Sequence, residues 1–234
     1  MNVAAFRAAF EHRLGSLMNV PTYEFWDPIV CSKMDLCPDI QGMLSIKKQK
    51  LLNLAFNMLG ENEAYLEIGT YHGKSLISAM IGNPARPVFA CDNFSQFEDN
   101  SLETAISNLE RYGLRDRVIF YNADFRTVYT REKLPVPVGL YFYDGAHDFD
   151  SQYEAIKRAE PFLADEALVI VDDWRLDPVD SRSYAKDATL RAAQESTGWE
   201  LLYELPARFN GDRAMWWNGV GVLAYAREGG EDRA

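Results

Sequence analysis

Apolar positions follow two rhythms along this chain, one helical and one of short uninterrupted runs. Phe6, Phe10, Leu14 and Leu17 recur at spacings of four, four and three, with Arg7, Glu11 and Arg13 turned the other way, which predicts an amphipathic helix. Leu44, Leu51, Leu52 and Phe56 predict a second helix of some twelve to fifteen residues that ends before Gly60. Between the two, over 19–42, the periodicity fails, and Pro21, Pro28 and Pro38 mark an irregular segment carrying Tyr23, Phe25, Trp26 and Met34. From Tyr65 the second rhythm takes over. Runs at 65–68, Val88–Asp92, Val118–Asn122, Val138–Tyr143 and 168–171 read as buried strands separated by helical stretches. Asn100 with Glu103 predicts a capping box that opens a helix through Tyr112, stopped by Gly113. Asp148 or Asp150 caps a helix with Phe149, Tyr153 and Ile156 facing inward, and Pro161 with Asp165 closes that unit. A further helical stretch runs to Thr197, with Gly198 as its stop. The last two strand-like runs, Trp199–Leu205 and 220–225, have no helix between them and predict an antiparallel hairpin on the sheet edge.

Strands alternating with helices predict an α/β fold: a seven-stranded, mostly parallel sheet with helices on both faces and a ligand crevice at the carboxyl ends of the strands. The organisation expected is a helix and a lid or oligomerisation segment over 1–42, a main domain over 43–227, and a loose tail over 228–234. With 47% apolar residues in 234, a full core is within reach. The net charge of −11 argues against a protein that grips nucleic acid by its phosphates. No apolar run approaches the roughly 20 residues of a membrane span, and the beginning of the chain lacks a signal-peptide pattern, so a cytoplasmic protein is expected. Cys31, Cys37 and Cys91 form no C-x-x-C pair and read as buried or incidental thiols.

The first buried run leads into Glu67-x-Gly69-x-x-x-Gly73-x-Ser75, after which Leu76, Ile77 and Met80 resume helical spacing. This strand–turn–helix places a ligand on the turn. It is neither the G-x-G-x-x-G of dinucleotide enzymes nor a phosphate-binding P-loop, whose first glycine would fall where Ile68 stands. Asp92 lies 23 residues beyond Gly69 at the tip of the next strand, where a carboxylate can meet the two hydroxyls of a ribose. The turn resembles the first motif of class I S-adenosylmethionine (SAM)-dependent methyltransferases, and the strand order is similar to theirs. That resemblance implies SAM as cofactor. It assigns Glu67, Gly69, Thr70, Gly73 and Ser75 to the methionine end, Asp92 to the ribose, Ala123 and Asp124 with Phe125 to the adenine, and Asp144 to the methionine amino group.

Asp144 ends the fourth strand, and Asp172 and Asp173 end the fifth. Were these strands neighbours, the carboxylates would converge on tips about 5 Å apart, a set of hard oxygen donors suited to Mg²⁺. Asp-Gly-Ala-His, followed 28 and 29 residues after its first aspartate by Asp-Asp, resembles the cation-dependent O-methyltransferases, most closely the macrocin type. The resemblance implies that Asp144, Asp172 and Asp173 ligate the ion and that a small-molecule hydroxyl, of a sugar or a phenol in a specialised metabolite, accepts the methyl group. His147 is the expected general base, histidine's ordinary pKa near 6.5 suiting the task. Trp174, Trp216, Trp217 and Trp26 are candidate walls of the acceptor pocket. The N-terminal helix is a candidate subunit contact. The same fold also serves metal-free transfer to an amine, or SAM binding without catalysis.

Overall fold

The computed structural model describes residues 1–22, 34–97, 100–174 and 184–228. Its strands are β1 (Ala64–Ile68), β2 (Val88–Asp92), β3 (Val118–Asn122), β4 (Val138–Tyr143), β5 (Leu163–Asp172), β6 (Trp199–Leu205) and β7 (Val220–Ala226). They form one sheet in the order β3-β2-β1-β4-β5-β7-β6. All pairings from β3 to β5 are parallel, and β7 alone runs against its neighbours. Every residue of β1 and β4 is buried, which is why these strands read as unbroken apolar runs rather than as alternating ones. The tips of β1, β2, β4 and β5 therefore point to one edge of the sheet.

The expected hairpin forms with a twist in its placement: β7 inserts beside β5, and β6 takes the outer edge. β5 is also longer than the run 168–171 suggested, because it begins at Leu163 and passes through the exposed Asp165 and Glu166. Those two polar residues made the strand look closed before it was.

The described helices are α1 (Val3–Leu14), α2 (Ile46–Asn57), α3 (Lys74–Met80), α4 (Ser101–Arg111), α5 (Phe149–Ala159) and α6 (Tyr184–Gln194). Buried side chains of α1, α2, α3 and α4 join one core cluster, and those of α5 and α6 join a second, so helices cover both faces of the sheet. α1 buries Phe6, Phe10 and Leu14, and the Phe10 ring lies 4.3 Å from that of Tyr203 on β6. Its apolar face thus packs on the chain's own core. Leu17 falls in the 3₁₀ turn that follows. Asp148 caps α5 by accepting from the Ser151 N–H at 2.9 Å. Asn100 occupies the cap position of α4 without a side-chain bond, so the predicted capping box does not form. Among the described residues no helix is long and apolar enough to cross a membrane.

Candidate active site

Where β1 and β4 end, their backbones nearly touch. The Asp144 N–H donates to the Ile68 carbonyl at 2.8 Å, and a Cβ at Gly69, whose φ is +84°, would stand 1.9 Å from the Asp144 carbonyl oxygen. Gly69 is there for this strand-to-strand approach, not only to admit a ligand. Gly73, at φ +83°, caps α3. Asp92 ties the turn to β2: its Oδ2 accepts from the N–H groups of Thr70 and Tyr71, and its Oδ1 from Phe94, all at 2.8 Å.

Glu67 and Ser75 do not reach the ligand side. Strand alternation turns Tyr65 and Glu67 away from the cavity that Ile68 lines. The Glu67 carboxyl is fully buried and accepts from the Tyr65 hydroxyl and from Ser75 Oγ at 2.9 Å, bracing α3 against β1. Burial pushes this carboxyl up to about 8. The folded chain therefore keeps a proton that the unfolded chain gives up near pH 4.5. Stability is expected to fall between about pH 4.5 and 8 by up to roughly 1.4 kcal/mol per pH unit, and Glu67→Gln to flatten that slope in urea unfolding.

A cavity of about 600 Å³ opens at the strand tips. One end is walled by Gly69, Tyr71, Asp92, Ala123, Asp124 and Phe125, the other by Asp144, His147, Asp172, Asp173, Trp217 and Asn218. Thr70 and Gly73 are not among the residues that line the cavity. Phe94 and Phe97, which the sequence reading did not single out, add aromatic surface beside the turn, with Phe97 4.8 Å from Tyr71 between ring centres. Their signal was an aromatic pair spaced by three, directly after the Asp92 strand tip and outside any helix.

β4 and β5 do pair, with Tyr143 opposite Val171, so the three aspartates converge as expected. Their partners differ from expectation. Asp144, His147 and Asp173 each offer a ligand atom, all within 4.8 Å of one another. His147 Nδ1 is 3.2 Å from Asp173 Oδ2 yet has no hydrogen-bond partner in line, and Asn218 Nδ2 donates to Asp173 Oδ1 at 2.7 Å. Asp172 is held instead by Lys48, whose Nζ lies 2.5 Å from both carboxylate oxygens, and its Oδ1 also accepts from the Asp173 N–H at 2.7 Å. Both side chains of that pair are buried. Burial raises the Asp172 carboxyl above its usual range while Lys48 opposes the shift. The Asp144 carboxyl is driven well above the usual range by burial, then by Asp172 and Asp173.

Lys48 escaped the sequence reading, although it follows Leu44 by four residues and precedes Leu51 and Leu52 by three and four, on the apolar face of α2. Lys47 beside it is buried too, donating to the carbonyls of Leu17 and Val20.

Of the candidate tryptophans among the described residues, Trp217 alone lines the cavity. Trp174 is core: it lies so close over Gly221 that a Cβ there would meet its ring at 2.2 Å, and its Nε1 donates to Glu204 Oε2 at 3.2 Å. Trp216 is fully buried, donating to the Met18 carbonyl at 2.8 Å with Lys47 Nζ 5.3 Å from its ring centre. Both side chains are large enough to wall a pocket, but they fill the space around β7 and under the N-terminal segment. Trp26, with Tyr23 and Phe25, lies outside the described residues.

A family model described as a methyltransferase domain matches residues 66–174, from β1 through the acidic tips of β4 and β5. No curated protein matches the chain in sequence. Among solved structures, a cofactor-bound protein from MTB is 24% identical, with 97% of each chain covered and a TM-score of 0.59. The O-methyltransferase TomG of Streptomyces achromogenes, involved in tomaymycin synthesis and solved with SAM, is 18% identical over 97% of this chain and 99% of its own, with a TM-score of 0.57. An O-methyltransferase of Bacillus cereus in complex with SAH is 16% identical over 95% and 100%, with a TM-score of 0.60. At these identities the likeness establishes the fold, that of the class I methyltransferases.

Proposed function

We propose that this chain is a class I SAM-dependent methyltransferase that moves the methyl group of SAM to a hydroxyl of a small molecule with the help of a divalent cation, a reading supported by the matched domain and the fold. The observation that carries the reading is one cavity with two chemically distinct ends: the glycine turn with Asp92, Asp124 and Phe125 at one, the Asp144, His147 and Asp173 cluster at the other. The cofactor would lie along the first end. Phe125 and the apolar surface near it would flank the adenine, and Asp92, whose two oxygens already fix the turn, would face the ribose with its remaining lone pairs.

The second end fits an ion. Three carboxylates face one ammonium there, and burial, followed by the charges of Asp172 and Asp173, holds the Asp144 carboxyl well above its usual range. A divalent ion bound among them would lower the pKa of an acceptor hydroxyl and fix its position. The chain's own part is to aim the acceptor oxygen along the line to the methyl donor and to exclude water with Tyr71, Phe94, Phe97 and Trp217. The hydroxyl acceptor is favoured by the O-methyltransferase relatives, and a specialised metabolite by TomG's part in tomaymycin synthesis.

A second route to an activated oxygen is favoured by the 3.2 Å approach of His147 to Asp173: the imidazole, facing that carboxylate, takes the proton directly. Transfer of labelled methyl from SAM to phenols, catechols and sugars, assayed with chelator and after return of Mg²⁺ or Mn²⁺, separates the routes. Activity lost with chelator and restored by the ion supports the first, and activity indifferent to chelator supports the second. SAM binding without transfer to any hydroxyl, or no SAM binding at all, refutes the reading.

A further inference from the structure

Asp172 lines the cavity and is joined across 124 residues to Lys48, which stands behind it, and neither is used by the cofactor end of the site. We propose that Lys48 is a positioning residue that withdraws Asp172 from ion binding, so that His147 takes the vacated place and the site holds its cation through Asp144, His147 and Asp173. The inference rests on the ion-assisted reading above and departs from the all-aspartate ligand set that the sequence suggests.

Three observations support it. Both oxygens of Asp172 lie at 2.5 Å from Lys48 Nζ, and Oδ1 also accepts the Asp173 N–H, so a cation drawn to the one lone pair left on Oδ2 would have to stand against a fully buried ammonium or displace it. Stripping that ammonium of its counter-charge in the interior carries a large desolvation penalty. His147 Nδ1, by contrast, is shielded from solvent, has no donor or acceptor in line, and lies within 4.8 Å of the ligand atoms of Asp144 and Asp173. Asp173 is preset to face it: its φ of +52° turns the side chain off the strand line, and Asn218 holds the other oxygen at 2.7 Å. Two carboxylates with one imidazole form a mixed oxygen and nitrogen donor set, which suits Mn²⁺ better than Mg²⁺, an ion that favours oxygen alone.

The test is cation binding by the full chain without SAM or acceptor, using MnCl₂ and MgCl₂ in calorimetry and the pulsed electron-spin spectrum of bound Mn²⁺. The native chain is expected to bind Mn²⁺ at least about tenfold more tightly than Mg²⁺ and to show the coupling of an imidazole nitrogen. His147→Ala, a half-exposed position, is expected to lose that coupling and about tenfold in Mn²⁺ affinity while leaving Mg²⁺ nearly unchanged. Lys48→Met alone is at risk of unfolding, so the informative variant is the double Lys48→Met/Asp172→Asn. It removes both charges together, keeps an oxygen for the Asp173 N–H, and is expected to hold Mn²⁺ within about threefold of the native chain. A tenfold or greater loss in the double variant would make Asp172 a ligand, and an unchanged nitrogen signal in His147→Ala would remove His147; either overturns the assignment. Absence of cation binding overturns it as well, whereas the methyltransferase reading fails only if SAM does not bind or no methyl moves.

Discussion

Replacing Lys48 with methionine is expected to lower the free energy of unfolding by about 3–5 kcal/mol at pH 8, the usual cost of breaking a buried ion pair from one side. The Nζ it removes is the group that satisfies both oxygens of a carboxylate only 2% exposed. The remaining Asp172 has one escape: it can take up a proton. Its carboxyl already sits above the usual range through burial, with Lys48 as the main opposing influence, so losing the lysine raises it further. A carboxyl whose folded pKa exceeds its unfolded one contributes stability that is full at low pH and lost as pH rises through the folded value. The deficit of Lys48→Met should accordingly be smaller at pH 5 than at pH 8. Urea unfolding of the native chain, Lys48→Met and Lys48→Met/Asp172→Asn at both pH values measures this, with the double variant recovering most of the loss. A deficit below about 1 kcal/mol at pH 8 would mean the pair is not buried as described.

How far the fold could be read in advance follows from which contacts are local. β1, β2 and β4 are flanked by strands and covered by helices, so their composition announced them, and the α2 boundary was equally plain from leucine spacing. β5 was truncated in the reading because its first turn of chain runs past the core edge, where Asp165 and Glu166 meet water. The site was legible at the level of strand tips: Asp92, Asp124, Asp144, Asp172 and Asp173 do gather at one edge. Its inner pairing was not, because the residue that claims Asp172 comes from a helix before β1, and nothing in the spacing of an acidic pair says which cation lies behind it. Glu67 illustrates the opposite failure. The alternation of side chains along β1 sets it on the face away from Ile68, and that local rule outranks the motif letter it occupies. For Trp174 and Trp216 size was visible and direction was not: a glycine in β7 makes room for one, and a carbonyl of the N-terminal segment receives the other.

Asp173→Asn is expected to reduce turnover by about 10²–10³, some 3–4 kcal/mol of transition-state stabilisation, while SAM affinity stays within about threefold. The substitution is matched in shape. Asparagine tolerates the φ of +52° at this position, and its amide oxygen can still accept from Asn218 Nδ2, so the backbone and the Trp217–Asn218 wall keep their supports. What disappears is the negative charge facing His147 Nδ1 and the ligand atom that completes the cluster with Asp144. On the ion-assisted route the site loses a carboxylate ligand. On the direct route the imidazole loses the carboxylate that its Nδ1 faces at 3.2 Å. Either way the loss concerns the acceptor end, whereas the cofactor end is built on Gly69, Asp92 and Asp124, none of which touches Asp173 through a hydrogen bond. Steady-state kinetics beside SAM calorimetry and a thermal melt distinguish the cases. Turnover within threefold of the native chain would show that Asp173 does not serve the chemistry, and SAM affinity falling in step with turnover would show that the two ends of the cavity are not separate sites.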